Sequence, residues 1–159
     1  MRLWHFRLLP YLPRQQLLSQ WRECCCIAKI IEEKGTPNHV LVNRIMDYSV
    51  EHFQTYTNQV VAQMMKRGYK ITTKSFWSYQ RNVFMNCDRF NNGNKICSKN
   101  DLYNGNFIFY GWHDDIYLRE CLYNMEEKAR AGAIPTNEWR IICDKFKDFT
   151  PLWEGECND

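Results

Sequence analysis

Apolar positions recur at helical spacing along much of this chain. Leu17, Trp21, Cys24, Ala28 and Ile31 follow one another at intervals of four, three, four and three, which draws one stripe down a helix. Pro13 suits the first position of that helix, because its fixed φ is already helical and its missing N–H would be unpaired there anyway. The pattern predicts a helix from Pro13 to about Glu33. After the turn KGTPNHV, residues 34–40, a second and longer helix is expected from about His39 to Arg67, stopped by Gly68 and buried along Val50, Phe53, Thr57, Val60 and Met64.

From Tyr69 to Gly111 the periodicity fails. Aromatic and basic residues mix in KSFWSYQRNVF, residues 74–84, and the turn-rich NNGNK and YNGN follow, so the segment reads as an irregular excursion with a short helix near 74–85. Asp114 or Asp115 can cap a third long helix that runs to Gly132 with Ile116, Leu118, Leu122 and Met125 as its apolar residues. Pro135 and Thr136 open a last one, about Asn137 to Phe149, closed by Pro151. With four helices, no strand pair and no internal repeat, the expected fold class is all-α. A length of 159 residues with 45% hydrophobic and 15% aromatic content suits a single domain spanning 1–159.

Charge and cysteine count narrow the chemistry. A formal net charge of +3 supports nucleic-acid binding only where the cations gather on one face. The opening MRLWHFRLLPYLPR is too broken by Arg and Pro for a secretion signal or a membrane span, so a cytoplasmic protein without a membrane partner is expected. Its eight cysteines are then read as free thiols. Cys24, Cys25 and Cys26 point about 100° apart on a helix and cannot all serve one ion, no CxxC pair occurs, and the histidines are scattered, so no metal site is expected.

Glu23 lies about 120° around the first helix from the centre of the apolar stripe. Its helical neighbours, Gln16, Ser19, Gln20, Cys26 and Ile27, make a mixed face poor in charge. Two readings are open: an ordinary helix carboxylate, or a catalytic one. Arg22 is open in the same way between surface cation and ligand contact, and Trp4, Trp21 and Trp77 between core and base-stacking wedge. The 76–84 segment either packs on the second helix or stacks on exposed bases. His5 is either structural or an extra acid or base, if the chain start threads back between helices.

The stretch QQLLSQWREC, residues 15–24, resembles the corresponding helix of the phage-type pyrimidine-dimer DNA glycosylases through Gln15, Leu17, Leu18, Trp21, Arg22 and Glu23. Asp47 and the close MKRGYKI, Met65 to Ile71, are similar to that family's second helix, whereas in the third only HDD, His113 to Asp115, and EEK, Glu126 to Lys128, are suggestive. The opening MRLWHFRLLPYLPRQQLL is similar to a bacterial branch of the family. The resemblance implies a monomeric repair enzyme without cofactor, acting on double-stranded DNA that carries a pyrimidine dimer or an abasic site. It would remove the damaged base and nick the strand through a Schiff base on the chain's own α-amine.

An α-amino group titrates near about 7.7–8.0, against about 10.4 for lysine, so an appreciable fraction is a free nucleophile at neutral pH. By the resemblance the catalytic pair is Met1 and Glu23. Family members expose a small second residue after methionine removal; here Arg2 is too large for that removal, which leaves Met1 in the nucleophile's place. Arg2 and Arg22 match family phosphate or lesion contacts, and Arg14, Lys29, Lys66 and Arg67 are DNA-binding candidates from charge. Gln16 stands where the family commonly has histidine and Cys26 where it often has arginine. The competing readings are a non-catalytic nucleic-acid-binding protein on the same scaffold and a thiol-rich metal or redox protein built on Cys24 to Cys26.

Overall fold

The computed structural model describes residues 1–91, 93 and 108–149. The described residues are helical throughout, without a strand, as the sequence leads one to expect. Five α-helices occur among them: α1 (Arg14–Lys34), α2 (Val50–Lys66), α3 (Thr73–Met85), α4 (Asp115–Arg130) and α5 (Thr136–Lys145). Shorter 3-10 turns cover Phe6–Tyr11, Asn43–Asp47 and Cys87–Arg89.

Pro13 sits one position outside α1, as its N-cap, and its carbonyl accepts the N–H of Leu17 at 3.0 Å. The N-terminus of α1 meets a carboxylate from the far end of the chain: Glu138 Oε2 accepts the Arg14 N–H at 2.7 Å, where a negative charge suits the helix dipole. At the other end Gly35 adopts φ 82° and returns its N–H to the Ile31 carbonyl. A Cβ there would need only the end of the Arg89 side chain, 2.6 Å away, to move, so it is the positive φ that favours glycine.

The second helix differs from its expected bounds. Residues 39–47 are a turn and a 3-10 segment, Tyr48 is extended, and the α-helix begins only after Ser49. The apolar stripe from Val50 to Met64 is buried as expected and itself starts at Val50, while Val40 and Leu41 are exposed, so no burial extends the helix upstream. The helix near 74–85 is present as α3, capped by the Thr72 hydroxyl accepting the Ser75 N–H. It packs chiefly on α1, not on α2. Tyr79 and Val83 face inward, whereas Trp77 is 65% exposed, which removes it from the core. On α4, capped by Asp114, Leu118, Leu122 and Met125 are buried as expected but Ile116 faces solvent. The last helix ends at Lys145, ahead of the expected Phe149. The NNGNK and YNGN stretches, apart from Asn91 and Gly93, lie outside the described residues, as do Pro151, Cys97 and Cys157.

One hydrophobic core runs through these elements. The stripe of α1 (Leu17, Trp21, Cys24, Ala28, Ile31) meets Phe53, Tyr56, Val60 and Met64 of α2 and Tyr79 of α3. The 3-10 turn at Phe6–Tyr11 bridges α2 and α5, and Arg67 fastens it, donating from its two terminal guanidinium nitrogens to the carbonyls of Leu12 at 2.6 Å and Pro10 at 2.8 Å. Residues 1–5, the N-terminal arm, carry no regular structure. Their backbone groups therefore need partners from elsewhere in the chain.

Candidate active site at the N-terminal arm

Those partners are side chains from three helices and that of His113, just ahead of α4. The Arg2 N–H donates to Glu23 Oε2 at 2.9 Å, and the Trp4 N–H to Gln20 Oε1 at 3.0 Å, both from α1. The Tyr117 hydroxyl of α4 donates to the Leu3 carbonyl at 2.6 Å, and the Tyr56 hydroxyl of α2 to the Trp4 carbonyl at 2.7 Å. The Phe6 N–H donates to His113 Nδ1 at 3.2 Å. Glu23, Gln20 and Gln16 stand at i, i−3 and i−7 on one face of α1, which makes that face a polar rail for the arm.

The consequence for the chain start is direct. Met1 is exposed, and its α-amine precedes the Arg2 N–H by a single residue, one Cα–Cα step of about 3.8 Å. Glu23, half-buried, thus holds one carboxylate oxygen on the backbone beside that amine. Leu3 and Trp4 are buried beneath, and the Arg2 guanidinium lies over the Trp4 ring, 5.7 Å from its centre.

Below the arm the environment is dry and aromatic. His5 Nδ1 accepts the Arg7 N–H at 3.2 Å, and its ring stacks on Phe6 at 4.7 Å and on His113 at 5.1 Å. Burial pushes the His5 imidazole down to about 4, against a hydrogen bond to His113 that opposes the shift, and holds His113 well below its ordinary range. Both rings are neutral at neutral pH. Burial also raises the phenols of Tyr56 and Tyr117, so each stays a protonated donor to its carbonyl. The Cys121 thiol, likewise raised by burial, is reached by the Arg2 guanidinium, the Tyr117 hydroxyl and the His5 backbone.

The candidate cations are spread over the surface. Arg22 is exposed, one position before Glu23. Lys29 is exposed six residues further along α1, about 9 Å, and lies 3.7 Å from Glu33. Arg14 stands against the Tyr69 ring at 5.6 Å, about 13 Å from Glu23 along the helix. Arg67 is tied to the carbonyls of Pro10 and Leu12 and Lys66 is exposed beside it. Met1, Arg2 and Glu23 are therefore brought together, whereas Arg22 leaves the helix about 100° around from Glu23, and Arg14, Lys66 and Arg67 form a second group nearer the start of α1.

The triplet of cysteines diverges. Cys24 is buried, with its thiol raised to about 12 by desolvation, Cys25 is half-buried and raised to about 11, and Cys26 is exposed. Among the described residues no three His, Cys, Asp or Glu side chains gather as a metal site, and no helix is long and apolar enough to cross a membrane. Sequence reasoning missed Gln20, Tyr56, Tyr117 and His113 as the arm's partners. The Gln16–Gln20–Glu23 spacing was the signal for the first; the two tyrosines have none beyond being aromatic.

A family model described as pyrimidine dimer DNA glycosylase matches residues 1–76, which span the arm, α1, α2 and the start of α3. Neither a curated protein nor a solved structure matches the chain. The match covers Met1, Arg2, Arg22 and Glu23, and it makes residues 1–76 similar to the pyrimidine dimer DNA glycosylase family.

Proposed function

We propose that this protein excises a damaged pyrimidine from duplex DNA and then nicks the resulting abasic site, with Met1 as amine nucleophile and Glu23 as its carboxylate partner. The observation that carries the reading is the 2.9 Å hydrogen bond from the Arg2 N–H to Glu23 Oε2, which sets the carboxylate one residue from the terminal amine. The similarity of residues 1–76 to a DNA glycosylase family supports the substrate class.

The chemistry follows from that pair. The neutral amine attacks C1′ of the damaged nucleotide as the bond from C1′ to the base breaks, the electron pair leaving with the base, which is protonated. Positive charge develops at the sugar, and an ionised carboxylate beside it lowers the energy of that state. Loss of the amine proton and opening of the sugar ring leave an iminium between the terminal nitrogen and C1′. The iminium acidifies the 2′ proton, whose removal expels the 3′ phosphate and cuts the strand; water then releases the sugar remnant and regenerates the amine. Glu23 is the group placed to relay these protons. Reaching C1′ requires a kinked duplex and a displaced nucleotide, and a damaged or missing base lowers that cost.

Arg22 and Arg2, beside the pair, serve the phosphates next to the lesion, with Lys29 along the same helix and Arg14, Lys66 and Arg67 further off. No cofactor takes part in this route, and the protein acts as a monomer.

The test is strand nicking of a duplex with one abasic site, comparing the chain with a free Met1 against one carrying residues appended before Met1. Nicking by the free terminus alone is the expected result. Equal nicking by both would remove Met1 from the mechanism. Salt-dependent binding without nicking by either would favour a non-catalytic DNA-binding role.

A further inference from the structure

We propose that Tyr117 is a positioning residue of this site: its hydroxyl fixes the Leu3 carbonyl and so keeps the terminal amine in register with Glu23. The inference rests on the function proposed above and extends it to the half of the chain that the family match does not cover, since Tyr117 belongs to α4.

The arm is extended chain with neither a strand beside it nor helical bonds within it. Its position depends on individual side chains. α1 holds the N–H groups, through Glu23 on Arg2 and Gln20 on Trp4. The carbonyls are held from the other elements, through Tyr117 on Leu3 and Tyr56 on Trp4. With only the α1 contacts the segment could tilt about the line joining them; the tyrosines oppose that motion. Of the two, Tyr117 holds the carbonyl nearer the amine, two residues from Met1. It is half-buried, and its ring lies 4.9 Å from that of His113, which keeps the hydroxyl aimed at the arm.

Removing the phenolic oxygen deletes no packed carbon and opens no cavity in the core. What it frees is the placement of the reacting nitrogen, and a shift of about 1 Å in a reacting group costs on the order of 100-fold in rate.

The experiment measures nicking of an abasic duplex over a range of DNA concentrations, together with thermal unfolding, for the native chain, Tyr117→Phe and Tyr123→Phe, the last an exposed tyrosine on the same helix. Tyr117→Phe is expected to lower kcat by about 10- to 100-fold with KM within about twofold and an unfolding midpoint within a few degrees of native. Tyr123→Phe should behave as native. An unchanged kcat in Tyr117→Phe overturns the inference, and so does a kcat loss matched by a collapse of the unfolding midpoint, which would make the hydroxyl merely structural. A native chain that never nicks would overturn the proposed function and this inference together; an active native chain with an equally active Tyr117→Phe overturns the inference alone.

Discussion

Two faces of α1 do opposite work. The face bearing Leu17, Trp21, Cys24, Ala28 and Ile31 is a continuous apolar seam against α2 and α3. The face bearing Gln16, Gln20 and Glu23 meets the N-terminal arm through single hydrogen bonds, Gln20 to the Trp4 N–H and Glu23 to the Arg2 N–H. On the seam any well-fitting hydrophobe serves, because burial is non-directional. On the rail the donor and acceptor atoms matter one by one. Stability should therefore be concentrated on one side of this helix and chemistry on the other.

The largest stability effect expected is on the seam. Trp21 is 6% exposed and its ring lies 5.7 Å from that of Tyr79, so Trp21→Ala should destabilise the fold by about 3–5 kcal/mol, read by denaturant unfolding. The counterpart on the rail is Glu23→Gln. It is expected to lower nicking by about 100- to 1,000-fold while the unfolding midpoint stays near native. Loss of stability without loss of rate at Glu23 would erase the distinction between the faces.

Acid should loosen the arm next. The folded-state value for His5 is about 4, below its ordinary 6.5, so the unfolded chain binds the extra proton first. Stability is full above about pH 6.5 and falls as pH drops toward about 4, by up to about 3 kcal/mol from this ring, with His113 acting in the same direction. Unfolding midpoints recorded across that window should decline on the acid side, and less so in His5→Gln. A flat profile would contradict neutral burial of the ring. The smallest effect is expected on the open flank of α1. Lys29→Ala removes an exposed contact to Glu33 and should change stability by less than about 0.5 kcal/mol, while DNA binding loses part of its salt dependence.

How far each face could be read from sequence follows from the same physics. Packing a helix on a core imposes a 3.6-residue period, so the seam of α1 and the stripe from Val50 to Met64 were visible, and with them the all-helical fold. A period does not say where a helix starts when the residues upstream are exposed, hence the expected beginning near His39 and the observed one at Val50. It also does not tell an aromatic in the core from one outside: Trp4 and Trp21 are buried and Trp77 is not. Glu23 stood out because a lone carboxylate interrupts a charge-poor face. Tyr56 and Tyr117 lie 52 and 114 residues from the carbonyls they hold, and nothing local marks such a pairing.

The central claim is that the nucleophile is the α-amine beside Glu23. Borohydride reduction during reaction with an abasic duplex, followed by peptide mapping of the cross-linked product, tests it directly. The account predicts a deoxyribose remnant on the nitrogen of Met1, and none when residues are appended before it. A remnant on a lysine such as Lys29, or nicking with no trapped species, would contradict it.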